Sequence, residues 1–348
     1  RIELLRVVQY ISGDKLDVNG RESDYLHRVR SNFKPDMELA SAMSDLLKRG
    51  FCYDVPDDFI LDNGYDFSHA PRLTARVKPW FGSKSDVRRL NSVFEEYAKS
   101  NNFNGFFEDN AEYYRSILSA AKNAARGGNY VRSLESFYGM KNNSYTVIVS
   151  PLTDGGYGIR KESRNGLSDC YNIMMVPHSV KGEPDFRENE FLGFMCYHEF
   201  GHSFVNPLLE DNRPELNRYA VLFNRTYDCY SSWSVFLNEQ IVRAATIALL
   251  TAGDKPWFTE KFLVDNEEKQ GFVYTGRFVR LLREYEANRN IYKDMKSFIP
   301  RIVSELRVLT EEKRGSVNGT NALTNINGVW KSSFNNIHMQ VEFSGNDV

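Results

Sequence analysis

The sequence predicts an α+β protein, mainly helical, with a small mixed sheet packed on one apolar helix. Three observations carry this. Through the first 140 residues apolar side chains recur at three-to-four-residue spacing; short β-type runs follow at 145–150 and 170–176; and an unbroken helical pattern then runs to Asn206-Pro207. Residues 1–140 are therefore expected to form an N-terminal helical region packed on a core over 141–315, with 316–348 as a C-terminal tail. With 348 residues, 41% of them hydrophobic, the chain can bury a sizeable core as one large domain or two modest ones.

Taken in order, Val87, Leu90, Phe94, Tyr97 and Ala98 mark one helix, and Ala111 to Arg126 is a second that stops at Gly127-Gly128. The character changes at Asn142. Tyr145 to Ser150 and Cys170 to Val176 read as strands, separated by the glycine-bearing segment Asp154 to Gly158, read as a loop. Pro184-Asp185 and Glu188 supply helix-start chemistry, and proline at 207 should stop the helix they open. Ser231–Leu250, Phe278–Glu286 and Met295–Glu312 read as further helices, and Ile337–Phe343 as a β-like run in the tail. There is no internal repeat.

Lys and Arg number 44 against 46 Asp and Glu, a net charge of -2 that gives no electrostatic footprint for nucleic acid or an anionic membrane. Four cysteines, Cys52, Cys170, Cys196 and Cys229, are too scattered for a disulfide framework and form no C-x-x-C pair. No apolar run approaches the roughly 20 residues that cross a bilayer. The chain opens at Arg1 without a charged-then-apolar leader, as a trimmed or mature form would.

The chemistry concentrates in Cys196 to Pro207, CYHEFGHSFVNP. Residues four apart share a helix face, so His198 and His202 can aim both imidazoles at one ion while Glu199 projects beside them. Met195, Cys196, Tyr197, Phe200, Gly201, Ser203 and Phe204 are all uncharged, as a helix buried against a sheet requires. An ionised Glu199 in that run would be costly to bury without a cation nearby. The plainer alternative is a pair of core histidines beside a stray glutamate.

Catalytic zinc commonly takes three protein ligands and leaves a fourth position for water. A metzincin pattern would need glycine at 205 and histidine at 208, where this chain has Val205 and Leu208, and no histidine follows until His338. A carboxylate is therefore the favoured third ligand. Among Glu210, Asp211, Glu215, Asp228 and Glu239, the last stands inside the apolar helix that starts at Trp233, where a metal or Arg243 one turn on would partner it. Asp228 is the reserve. A cysteine ligand from Cys170, as in deformylases, is a further arrangement, but the residues around it do not resemble the deformylase motif.

His198-Glu199-Phe200-Gly201-His202 followed by Asn238-Glu239 resembles the gluzincin zinc metallopeptidases, whose third ligand is a glutamate on a later helix. More closely, Ile2-Glu3-Leu4-Leu5, Gly155-Gly156-Tyr157-Gly158, His198 through Pro207 and Asn238-Glu239 through Arg243-Ala244 resemble an uncharacterised bacterial family, known as a domain of unknown function. Its members are generally exported, often as lipoproteins.

The resemblance implies a zincin-like core, a Zn2+ cofactor held by His198, His202 and Glu239, and a peptide or protein substrate. It also implies export to the periplasm, cell surface or medium, with room for a lipid anchor on a precursor. An aspartate that such enzymes carry four residues after the glutamate ligand is Arg243 here, so the partner orienting a ligand imidazole must lie elsewhere. The aminopeptidase glycine-rich motif is absent, which favours an endopeptidase.

In that chemistry Glu199 is the general base, and the oxyanion needs a second electrophile. Tyr157, His178, Tyr230 and Arg243 are the candidates. Strand 145–150 or 170–176 could be a sheet edge for an extended peptide, and Gly201 would let that backbone pass close to the helix or ease helix–sheet packing. The alternative function is a binding module with a degenerate site or architectural zinc.

Overall fold

A computed structural model describes residues 1–12, 24–49, 51–64, 78–163, 166–178, 183–187, 190–223, 232–252, 259–320, 328–334 and 337–343, with side chains to residue 315. The fold is α+β and mostly helical, around a three-stranded mixed sheet. Among the described residues eight α-helices precede the sheet: α1 (Ile2–Ile11), α2 (Asp24–Asn32), α3 (Met37–Lys48), α4 (Val55–Leu61), α5 (Lys84–Ser100), α6 (Phe103–Asp109), α7 (Ala111–Ala125) and α8 (Tyr130–Tyr138). Local chemistry sets several ends. At α5, Ser83 Oγ accepts from the Asp86 amide and Asp86 Oδ2 accepts from the Ser83 amide, a reciprocal cap. Gly127, at φ 85°, turns the chain after α7.

The sheet comprises β1 (Ser144–Val149), β2 (Gly156–Glu162) and β3 (Ser168–Met174) in the order β1-β3-β2, with β1 parallel and β2 antiparallel to the central β3. The segment read as a glycine loop therefore opens a strand. The usual strand signal is weak in β2: only Tyr157 and Ile159 are apolar at alternate positions, Lys161 ends that row, and Gly156, Gly158 and Arg160 fill the other face. The central position of β3 corrects the second option for a free edge: the edges are β1 and β2.

Strand periodicity divides two cores across the sheet. On one face, Gly156, Gly158, Cys170, Asn172 and Met174 look onto α9 (Phe191–Asp211), and Asn172 Nδ2 donates to the Met195 carbonyl at 3.1 Å. On the other, Ile159 and Ile173 join the core of the N-terminal helices, and Lys161 pairs with Asp58 and Asp62. Helices α7 and α8 belong with α9: Ile117 and Leu134 share its core, and the Tyr138 ring stacks on Phe204 with centroids 4.5 Å apart.

Helix α9 is apolar on nearly every side, which suits a helix enclosed by the sheet, α8 and α11 (Trp233–Leu250). It begins at Phe191, after a turn in which Asp185 Oδ1 accepts from the Arg187 amide, so Pro184-Asp185 lies outside it. Nor does it stop at Pro207. Proline removes one intrahelical donor, but Val205, Leu208 and Leu209 remain buried on either side, and that packing carries the helix through to Asp211. After α9 come the short α10 (Arg213–Leu216), then α11, α12 (Glu260–Lys269), α13 (Thr275–Ala287) and α14 (Met295–Thr320), and the hairpin β4 (Gly328–Phe334) and β5 (Ile337–Phe343). Among the described residues no helix is long and apolar enough to cross a membrane.

Candidate metal centre

His198 and His202 stand one turn apart on α9, their Nε2 atoms 3.4 Å apart. Helix α11 packs against α9 and brings in Glu239, whose Oε1 lies 3.4 Å from His202 Nε2 and whose Oε2 lies 3.7 Å from His198 Nε2. One ligand atom from each of the three lies within 4.8 Å of the others, and among the described residues this is the group that could hold a metal ion. The spacing fits. Donors bound tetrahedrally at about 2.1 Å stand about 3.4 Å from one another.

The next layer fixes the donors. His202 Nδ1 lies 3.1 Å from Asn238 Oδ1 and 3.3 Å from Asn206 Oδ1, and Asn238 Nδ2 donates to Asn206 Oδ1 at 2.6 Å. Both neighbours of Nδ1 are acceptors, so Nδ1 carries the proton and Nε2 presents its lone pair to the group. These asparagines are the orienting partners that the sequence did not single out. In the sequence Asn238 stands out only as the neighbour of Glu239, and Asn206 lies four residues past His202, a spacing that is the one local signal for it.

His198 stacks on Phe194, and its buried Nδ1 has no hydrogen-bond partner among the described residues. Burial, then the neighbouring His202 and Arg243, hold its pKa well below the usual histidine value, so it is a neutral imidazole with a lone pair to offer. Glu239 also accepts from Arg243 Nε at 3.1 Å, so the helix pair and the convergence on the histidines coexist.

Glu199 is 6% exposed. Burial pushes its pKa up to about 7, with Glu239 adding to the rise while His202 and Arg243 oppose it. Two glycines of β2 give it room. A β-carbon at Gly156 would overlap the Glu199 carboxylate and the tip of Met195, and one at Gly158 would overlap the Glu199 main-chain carbonyl. The edge strand beside Glu199 is therefore β2.

The remaining candidates fall in different places. Tyr157 alternates with those glycines and faces the N-terminal helices, its hydroxyl donating to Asp154 Oδ1 at 2.8 Å with the Arg6 guanidinium over its ring. His178 lies beyond the end of β3 in a bridge with Pro184. The Arg243 guanidinium is engaged by Glu239 and Glu267. Tyr230 and the reserve ligand Asp228 lie outside the described residues. Cys170 of β3 is fully buried and is not in the group that could hold a metal ion. Gly201 faces Tyr138 and Val242, so its missing side chain serves packing against α8 and α11 rather than the sheet or a passing backbone.

No curated protein and no solved structure matches the chain at a significant level. A family described as "Domain of unknown function (DUF4932)" matches residues 1–305, and the chain belongs to that family.

Proposed function

We propose that the protein is a zinc-dependent peptidase of the gluzincin type, with His198, His202 and Glu239 as metal ligands and Glu199 as general base. The observation that carries the reading is the convergence of three donors at 3.4, 3.4 and 3.7 Å with a buried carboxylate beside them. Two imidazoles and one carboxylate are a borderline-soft donor set that suits zinc, and three protein ligands are the number that catalytic sites keep, against four in architectural ones.

When bound, zinc would polarise the scissile carbonyl and acidify a water molecule. Glu199 would take the proton from that water and pass it to the leaving amine, a task suited to a carboxylate whose affinity for protons is raised towards neutrality. Asn238 and Asn206 hold His202 in the tautomer that leaves Nε2 free. An extended peptide would add to the outer edge of β2, where Gly156 and Gly158 keep the strand close to Glu199. The substrate is then a peptide or protein cut internally, and export follows the family resemblance.

The test is zinc content by plasma emission spectroscopy on protein purified without chelator, with Glu239→Ala beside wild type, followed by hydrolysis of a quenched peptide library with Glu199→Gln as control. About one zinc per chain, lost in Glu239→Ala, together with cleavage lost in Glu199→Gln, supports the reading. Zinc bound without any cleavage would favour the architectural alternative.

A further inference from the structure

Glu239 faces His202 with Oε1, while its Oε2, 3.7 Å from His198 Nε2, is also held by a cation. Its Oε2 accepts from Arg243 Nε at 3.1 Å, and the far side of the same guanidinium, Nη1, donates to Glu267 Oε2 of α12 at 2.6 Å. The plane of the guanidinium is fixed as well, because Arg243 Cζ stands 3.7 Å from the centroid of the Phe272 ring. All three charged side chains are largely enclosed, at 14, 12 and 10% exposure for Arg243, Glu239 and Glu267. A buried arginine this close to a cation site needs an explanation, since its charge opposes the cation.

We infer that Glu267, acting through the forked guanidinium of Arg243, positions the Glu239 carboxylate for the metal and sets the affinity of the site from outside the ligand set. The inference rests on the metal reading of His198, His202 and Glu239. Arg243 turns Glu239 so that Oε1 stays 3.4 Å from His202 Nε2, and Glu267 offsets the charge that Arg243 would otherwise direct at the ion. Two carboxylates, Glu239 and Glu267, stand against this one guanidinium. Only arginine can do this. A lysine ammonium is a point charge and lacks the planar fork that spans two carboxylates on opposite sides.

The experiment is zinc affinity by competition with a chromophoric chelator, on the full chain, for wild type, Glu267→Gln, Arg243→Lys and the double variant, with the thermal midpoint of each metal-free protein. Glu267→Gln and Arg243→Lys are each expected to weaken zinc binding about 10- to 100-fold. In the Arg243→Lys background, Glu267→Gln should add less than about threefold, because the relay is already broken. Unchanged affinity in Arg243→Lys, or an equal loss from Glu267→Gln in both backgrounds, would overturn the relay and leave a simple field or a structural pair. A wild-type protein that takes up no zinc would overturn the metal reading and the relay together. Lowered midpoints with unchanged affinities would defeat the relay alone.

Discussion

Gly158 of β2 lies against the main-chain carbonyl of Glu199, so close that a β-carbon at 158 would overlap the carbonyl oxygen and come within 3.1 Å of its carbon. Main chain in the middle of α9 cannot step aside. Gly158→Ala should therefore cost about 1–3 kcal/mol of stability, as other overpacked sites do. At Gly156 the obstructing atoms are the ends of Met195 and Glu199, which can swing away. Gly156→Ala should keep most of the stability while displacing the Glu199 carboxylate, lowering any peptidase kcat by at least about tenfold. Urea midpoints and turnover on one peptide separate the two. Equal stability loss in both variants would show that β2 is not seated on Glu199 as described.

The tautomer of His202 depends on Asn238, whose amide oxygen lies 3.1 Å from Nδ1. Asn238→Ala is expected to weaken zinc binding about 10- to 100-fold, because the imidazole loses the acceptor that directs its lone pair. Asn238→Asp keeps an acceptor and adds a negative charge, so it should bind zinc at least as tightly as wild type. Chelator competition reads both, and an Asn238→Ala affinity within about twofold of wild type would assign the orientation of His202 to packing alone.

Much of the candidate metal site is legible in the sequence, for a physical reason. Ligands one helical turn apart are a local relation, so His198-Glu199-Phe200-Gly201-His202 names its own geometry once the helix is recognised, and Glu239 is conspicuous because a carboxylate rarely sits in an apolar helix. The second layer was not legible. Asn206 meets Asn238, and Arg243 meets Glu267, only after helices pack, and none of these residue types is unusual on a helix by itself. The same holds for β2, whose glycines look like a loop until Glu199 is seen beneath them. The run through Pro207 shows the converse, burial overriding a local stop signal.

In the core of the N-terminal helices, Glu3 is buried at 7% exposure and accepts a hydrogen bond from Tyr25, whose hydroxyl lies 2.8 Å from that of Tyr114. Burial raises its pKa above the ordinary 4.5, with Tyr25 and Ser150 opposing. A folded state that holds this proton more tightly than the unfolded chain is favoured below pH 4.5 and loses that advantage as pH rises through the folded pKa. Glu3→Gln keeps an acceptor for Tyr25 without an ionisable group. Its denaturation midpoint should match wild type at about pH 4 and exceed it at about pH 8, with the gap opening above the unfolded pKa. A wild type that gains on the variant as pH rises would mean that Glu3 is held ionised in the fold.

Arg6 ties the N-terminal helices to the strand that lies against Glu199. It is 1% exposed, bonds Asp57 of α4 at 2.7 and 2.9 Å, reaches Thr153 at 3.0 Å, and lies over the ring of Tyr157, the residue between the two glycines that touch Glu199. Asp57→Ala leaves a guanidinium buried without its counter-ion, a change that costs about 3–5 kcal/mol. Because the stranded charge of α1 sits against α4 and β2, the loss should reach β2 rather than stay confined to α1. Hydrogen exchange on the metal-free protein reads this: amides of α1 and β2 are expected to lose protection together in Asp57→Ala. Protection should return in Arg6→Met/Asp57→Leu, where apolar side chains replace the pair. Loss confined to α1, with β2 still protected, would mean that the N-terminal helices fold as a separate unit and that β2 keeps its place over Glu199 without them.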